Sequence, residues 1–386
     1  MAEQIVSPDL NFVKEVIASG ADSLKKCYQC STCTVVCEVT PDKKPFPRKE
    51  MLQAQWGMKD QLLTNPDIWM CHQCSDCTAY CPRGAKPGEV LGAVRKMAIK
   101  EYSAPRLLAE WTANSKYVLL LFAIPVMIFL FELFIQGHFT NGIPRNEMGK
   151  ISYSLMFPPT KFIDTVFVPT AFFAAICFIF GIKKYWEAMV SANGVAAGGD
   201  IIKGLIPTIV DIITHKKFAM CGVAKDRKVS HMLVFFAFIG LAITTSIGVL
   251  YLYGYEIFGI ETHGLINFGE SPYPLYDPMK IIGNASAIAL LVGITLVINN
   301  RMKNKEKAGV GSYFDWLFIV IVYGVGATGF LAEILRLLDI AILAYPMYFV
   351  HLVFIFVLFA YAPFSKMAHM VYRTTAMVFA RYSGRE

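Results

Sequence analysis

Charge is what this sequence is short of. Only 17% of its 386 residues are Asp, Glu, Lys or Arg, against 55% hydrophobic, and the mean hydropathy is +0.47. Soluble domains carry about a quarter charged residues, so a wholly soluble chain is excluded and several membrane spans are expected. The N-terminus has no basic stretch followed by an apolar core, so nothing is expected to export it. Short-period repeats and low-complexity tracts are missing as well, which leaves no sign of a solenoid or a disordered arm. A net charge of +7 does not argue for nucleic acid here, because the Lys and Arg residues flank apolar runs and read as topology determinants.

What is present is cysteine in an ordered pattern. Eight of the ten cysteines fall within residues 27–81. One run reads Cys27-Tyr-Gln-Cys30-Ser-Thr-Cys33-Thr-Val-Val-Cys37, the other Cys71-His-Gln-Cys74-Ser-Asp-Cys77-Thr-Ala-Tyr-Cys81-Pro82. Each is C-x2-C-x2-C-x3-C, a spacing that gives three thiolates to one iron–sulfur cubane and sends the fourth to the other. Cys27, Cys30, Cys33 and Cys81 are therefore expected to hold a first [4Fe–4S] cluster, and Cys71, Cys74, Cys77 and Cys37 a second. Zinc usually pairs two C-x2-C knuckles across a longer gap, and disulfides do not suit a reducing compartment. Cys177 and Cys221 read as inert small apolar residues.

Along the chain, Asp9 or Asn11 could cap a helix through Phe12, Val13, Val16 and Ile17. A helix is expected over Arg48–Leu63 and another over Gly88–Glu101. Residues 1–105 thus read as a small helical two-cluster ferredoxin-like domain that depends on its clusters for stability, and 106–116 as a linker. Six spans follow within 117–372: Tyr117–Ile135, Thr165–Ile182, His231–Tyr253, Ile281–Asn299, Tyr313–Leu335 and Leu343–Val371. Residues 373–386 read as a tail. The 183–230 and 300–312 segments and the tail are rich in Lys and Arg, whereas the alternate segments carry only Arg145, Lys150, Lys161 and Lys280. Both termini are accordingly expected in the cytoplasm. Ile201, Ile202, Leu205, Ile206, Ile209 and Ile213 recur at helical spacing, as in an amphipathic helix at the membrane surface.

Ionisable residues inside spans are functional candidates. His351 and His369 are 18 residues apart, five turns of a continuous helix, which would set them about 27 Å apart on one face. His231 opens the third span at the depth expected of His369, and two imidazoles from different helices suit the axial positions of a b-type haem. A second haem would join His351 to His138 or, if its segment folds inward, to His263; Leu241 stands where a further ligand on the third span would fall. His215 and Cys221 read as a surface histidine and a buried thiol, and His72 as packing beside a cluster. Glu333 and Arg336, three apart, either pair with each other or orient a quinone; Glu132 and Asp315 are the other charges in or beside spans.

The eight cysteines, His231, Thr328-Gly-Phe-Leu-Ala-Glu333-Ile-Leu-Arg336 and His351…Pro363-Phe-Ser-Lys-Met-Ala-His369 together resemble a fusion of two parts of heterodisulfide-reductase-like complexes. The soluble part is similar to their iron–sulfur subunit. The membrane part is similar to their cytochrome b subunit and, more distantly, to the gamma subunit of respiratory nitrate reductase. The quinone-interacting membrane-bound oxidoreductases of sulfate reducers are the nearest family over roughly residues 20–375. The resemblance implies menaquinol as donor, soluble flavin/iron–sulfur subunits as partners and adenylylsulfate reductase as recipient. The expected protein is a multi-pass electron-transfer subunit of the cytoplasmic membrane, with two [4Fe–4S] clusters and one or two b haems. The alternatives are a haem-free anchor or sensor with structural clusters, and a quinone-linked subunit of a thiol–disulfide reductase.

Overall fold

In a computed structural model of the chain, the described residues are 7–138, 142–195, 201–220, 222, 227–262, 266–268, 272–304 and 311–385. All regular structure among them is helical. Helix α1 (Leu10–Ala18) is capped by Asp9, whose Oδ1 accepts from the Phe12 N–H at 2.9 Å, and it buries Phe12 and Val16. The single helix expected over Arg48–Leu63 is in fact two. After the short α2 (Thr32–Val35), α3 (Arg48–Gln55) and α4 (Lys59–Leu63) are parted by Gly57 at φ +66°. Gly57 O accepts from Asp9 N at 2.9 Å, and a Cβ there would lie 2.5 Å from the Asp9 carbonyl oxygen. Only glycine permits that close reversal. The short α5 (Asp67–Met70) and α6 (Asp76–Ala79) precede α7 (Pro87–Tyr102), which starts on a proline that needs no N–H partner there.

Residues read as a linker form α8 (Arg106–Ala113). Then come α9 (Val118–Ile135), α10 (Asp164–Asn193), α11 (Ile201–Thr214), α12 (Arg227–Phe258), α13 (Pro278–Lys303), α14 (Tyr313–Leu337), α15 (Ala341–Ala360) and α16 (Ala368–Tyr382). Six of these, α9, α10 and α12–α15, are long and apolar enough to cross a membrane. They share a core built on Phe129, Phe162, Leu290, Val322 and Phe356.

The last expected span, Leu343–Val371, does not run through. Pro363 has no N–H to give and its ring crowds the carbonyl four residues back, so α15 ends at Ala360 and a 3-10 turn covers Ala362–Phe364. Two carbonyls of that turn are satisfied from the chain around α8: Ser103 Oγ donates to Pro363 O at 3.1 Å and Thr112 Oγ1 to Phe364 O at 2.8 Å. His351 and His369 consequently stand on different helices, and the five-turn register between them is withdrawn.

α16 turns back onto the cysteine domain instead of trailing as a tail. Tyr372, Phe379 and Met377 share one core with Trp69, Tyr102 and Val94 of that domain and with Tyr185 and Met189 of α10. Trp69 stacks on Tyr372 at 5.5 Å. At the far end of the chain, Arg385 is buried and donates to Asp67 Oδ2 at 2.6 Å and Asn193 Oδ1 at 2.8 Å. The small cysteine domain thus gains much of its core from the membrane half. α11 packs its Gly204 and Thr208 edge on α16, where Arg381 donates to Thr208 Oγ1 at 2.6 Å and Asp211 Oδ2 at 2.5 Å. Its Ile202, Ile206 and Val210 point outward, as a helix at a membrane surface presents its apolar face.

Candidate redox centre

The two cysteine runs fold alike. Gln29 and Ser31 in the first take φ +60° and +71°, and Gln73 and Ser75 in the second take +51° and +71°. These left-handed turns curl each loop around its sulfurs, so that Gln29 N points to Cys27 Sγ at 3.5 Å and Gln73 N to Cys71 Sγ at 3.2 Å. Such N–H donors stabilise thiolate charge. Each loop closes into a one-turn helix, α2 or α6, and these two helices touch.

Cys27, Cys30, Cys33 and Cys81 line one small cavity with Tyr28, Arg48 and Arg83. Cys37 lies in the electrostatic range of Cys71 and Cys74, and Cys77 in that of Cys71, Cys74, Cys37 and, last, Cys33. The fourth cysteine of each run therefore stands with the other run's first three. Burial pushes the Cys33 thiol up to about 11 and Cys37 to about 12, and Cys77 well above its ordinary value. Thiols so buried ionise only where a cationic metal centre displaces their protons. Among the described residues no three His, Cys, Asp or Glu side chains close on one point as a single zinc ion requires. Eight thiols in two sets of four are the donor set that two [4Fe–4S] clusters take.

The environments of the two sets differ. Cys30 is exposed where its counterpart Cys74 is half-buried, while Cys33 and Cys77 are both buried. Arg95, itself buried, donates to Cys71 O at 3.0 Å, Ile68 O at 3.2 Å and Gln73 Oε1 at 3.1 Å. Arg373 of α16 donates to Cys71 O at 3.2 Å and to His72 Nε2 at 2.7 Å. Arg227, at the start of α12, bonds Gln73 O, and Gly222 N donates to Asp76 Oδ2 at 3.0 Å. His72 is buried edge-on to Phe218 and packs beside its loop as expected. Burial and then the Arg373 cation hold it down to about 2. It is a neutral contact between the halves.

The histidines of the membrane half and of α16 differ in how many ring nitrogens are engaged. His215 is 3% exposed, so it is not the surface residue that its polar neighbours suggest. Its Nδ1 faces Ile213 O at 3.2 Å and must carry the proton; its Nε2 then accepts from His231 Nδ1 at 2.9 Å. His231 is left with Nε2 bare. Thr328 Oγ1 donates to Gly324 O at 2.6 Å, so at 3.1 Å it accepts from His351 Nδ1, and the His351 ring also bonds the Val325 backbone. A Cβ on Gly329 would come within 2.7 Å of the His351 ring, so glycine is what admits the imidazole. His369, on α16, lies 5.6 Å from the Trp69 ring, and neither of its nitrogens has a hydrogen bond among the described residues. Burial, followed by the Arg95, Arg373 and Lys366 cations and His231, holds it neutral, well below the ordinary range. A bare nitrogen on a ring steered by a partner at the other is the form in which histidine ligates iron.

His138 meets Gln136 Oε1 through Nε2 at 3.3 Å, so His138 and His351 have separate partners, and His263 lies outside the described residues. So does Cys221. Leu241 packs against the bundle core. Glu333 pairs with both Lys280 at 2.7 Å and Arg336 at 3.2 Å. Asp315 caps α14 on Ser312 and pairs with Lys366. Sequence reasoning passed over Arg95, read Arg227 and Arg373 only as topology charges, and met Thr328 only as the start of a family motif. Arg373 had one visible signal, its place four residues after His369 and so on the same helical face.

Residues 23–85 match the model of the 4Fe-4S dicluster domain, which supports [4Fe–4S] clusters in that segment. The chain is 36% identical over 93 residues to the C subunit of the H(2):CoB-CoM heterodisulfide,ferredoxin reductase of Methanothermobacter marburgensis, covering 24% of this chain and 50% of that one. It is 35% identical over 100 residues to a protein of Archaeoglobus profundus named as like the C subunit of heterodisulfide reductase, covering 25% and 53%. With an iron-sulfur subunit of the CoB--CoM heterodisulfide reductase of Methanocaldococcus jannaschii the figures are 35% over 99 residues, 24% and 53%. The chain spans about half the length of the curated relatives it matches. No solved structure matches it.

Proposed function

We propose that this chain is the membrane electron-transfer subunit of an oxidoreductase complex, joining quinol oxidation in the helix bundle to soluble flavin/iron–sulfur partner subunits. When bound, two [4Fe–4S] clusters and b haem supply the one-electron chemistry. Cys27, Cys30, Cys33 and Cys81 would hold the first cluster and Cys71, Cys74, Cys77 and Cys37 the second. His231 and His369 would hold an inner haem. His351 would serve an outer one, with His138 or His263 as its partner. The reading is carried by one observation: α16 bears His369 and, one turn on, Arg373, which clasps Cys71 O and His72 of the second cysteine loop. Arg373 ties the helix that carries His369 to the second cysteine set, and the exposed Cys30 leaves the first set facing outward.

The residues orient and insulate. His215 and Thr328 hold His231 and His351 in the ligating tautomer. Arg95, Arg227 and Arg373 offset the negative charge of the second set. At the other end of the bundle, Glu333 already lies between two cations, so Arg336 and Lys280 are the groups with donors to offer a quinone carbonyl. The Lys/Arg distribution favours both termini in the cytoplasm of a cytoplasmic-membrane protein. Menaquinol as donor and adenylylsulfate reductase as recipient follow from the family resemblance. A second reading, a quinone-linked subunit of a thiol–disulfide reductase complex, is favoured by the names of the relatives.

A reduced-minus-oxidised visible spectrum, with iron, sulfide and haem measured per chain, tests the proposal. Eight cluster irons with one or two b haems support it. Zinc without haem overturns it.

A further inference from the structure

The two cysteine loops are copies of one fold, yet only one is covered. In the second loop, the residue after the first cysteine is His72, buried against Phe218 and Arg373; in the first, the matching residue is Tyr28, 67% exposed. The residue before the third cysteine of the second run is Asp76, which receives Gly222 N, while among the described residues the side chain of its counterpart Thr32 bonds within its own loop, to Cys30 Sγ. The face that docks the membrane half on one loop is thus open to solvent on the other.

The open face is also charged. Arg83 lies 4.0 Å over the Tyr28 ring and donates to its hydroxyl at 2.8 Å, and Arg48 Nε donates to Gln29 O at 3.1 Å. Both guanidiniums are exposed, line the mouth of the first cysteine set, and meet no carboxylate among the described residues. Each has five N–H donors and uses few of them. Exposed Lys25 and Lys26 precede Cys27 and extend the positive field. Tyr and Arg together at an exposed site are the composition of an interface centre, and cations not paired with a carboxylate steer a protein of opposite sign.

We propose that Tyr28, Cys30, Arg48 and Arg83 form the docking surface for a soluble protein that carries its redox centre behind an acidic face. This rests on the reading of the first cysteine set as a cluster. It adds which of the two sets meets the partner and what charge that partner presents.

The full chain in nanodiscs, with cluster content followed by electron paramagnetic resonance, can be titrated with an acidic plant-type ferredoxin as probe and with a lysine-rich cytochrome c as its opposite. Ferredoxin is expected to bind the wild type, to weaken at least tenfold between low and physiological salt, and to weaken tenfold or more in R48E/R83E. Cytochrome c should bind the double variant more tightly than the wild type. The control K150E/K161E makes the same charge change at the far end of the bundle and should leave ferredoxin binding within twofold. If R48E/R83E loses its first-cluster signal, K25E/K26E decides by the same criterion. Equal ferredoxin binding by wild type and the variants with clusters intact overturns the docking surface alone, as does an equal loss in K150E/K161E. A wild type without [4Fe–4S] signals overturns the proposed function, and the docking surface falls with it.

Discussion

Glu50 lies in the core of the cysteine domain, fully buried, and its carboxyl accepts from Asn65 Nδ2 at 2.8 Å through one oxygen while the other has no partner. Burial, and then the nearby Asp67 charge, raise its pKa from 4.5 to about 7. Between those two values the folded protein holds a proton that the unfolded chain has released. Stability must therefore fall as pH rises through this window and level off above about 7. A shift of this size, at 1.36 kcal/mol per pH unit, amounts to roughly 3 kcal/mol. Glu50→Gln keeps the oxygen that Asn65 uses and cannot ionise, so it removes the loss. The variant should exceed wild type by about 1 kcal/mol at pH 5.5 and about 3 kcal/mol at pH 8. At a few degrees per kcal/mol, the upper figure corresponds to a melting shift on the order of 10 °C. Tryptophan fluorescence reports it directly, since Trp69 is in the same core. A difference between variant and wild type that stays flat across this pH range would refute the reasoning.

Arg385→Ala leaves Asp67, 2% exposed, without its cation; removing one partner of a buried pair costs about 3–5 kcal/mol, so thermal melting should drop and proteolysis should reach the chain after α16. Cys81→Ser, although in the second run, should abolish the paramagnetic signal of the first cluster and spare the second, while Cys37→Ser should do the reverse; loss of the signal of its own run in either variant defeats the crossed assignment. His231→Ala should lose the inner haem band outright. His215→Ala should keep the haem but shift its redox midpoint, since it removes only the group that holds Nδ1; an unchanged midpoint counts against the positioning role.

The local facts were legible in the chain. Cysteine spacing needs no fold to imply a two-cluster segment, because the ligands lie within a few residues of each other, and 23–85 is the segment matched by the dicluster model. Six spans were readable because a helix in lipid must satisfy its own backbone, which makes length and hydropathy sufficient. Asp9 could be picked as a cap from its position alone.

Breaks and contacts were not legible in the same way. The helix expected through Gly57 failed because a close approach by Asp9, more than forty residues away, requires a left-handed glycine there. The span expected through Pro363 failed because the proline breaks the helix and Ser103 and Thr112 satisfy carbonyls of the turn that follows, something lipid could not do. His215 looked like a surface residue because nothing in its neighbourhood records that α12 brings His231 to it. What the sequence decided by itself is chemistry carried in short spacing and long hydropathy. Only the tertiary structure decided that one cysteine loop is buried under α16 while its copy faces solvent, because the two have the same backbone and differ in what the rest of the chain lays over them.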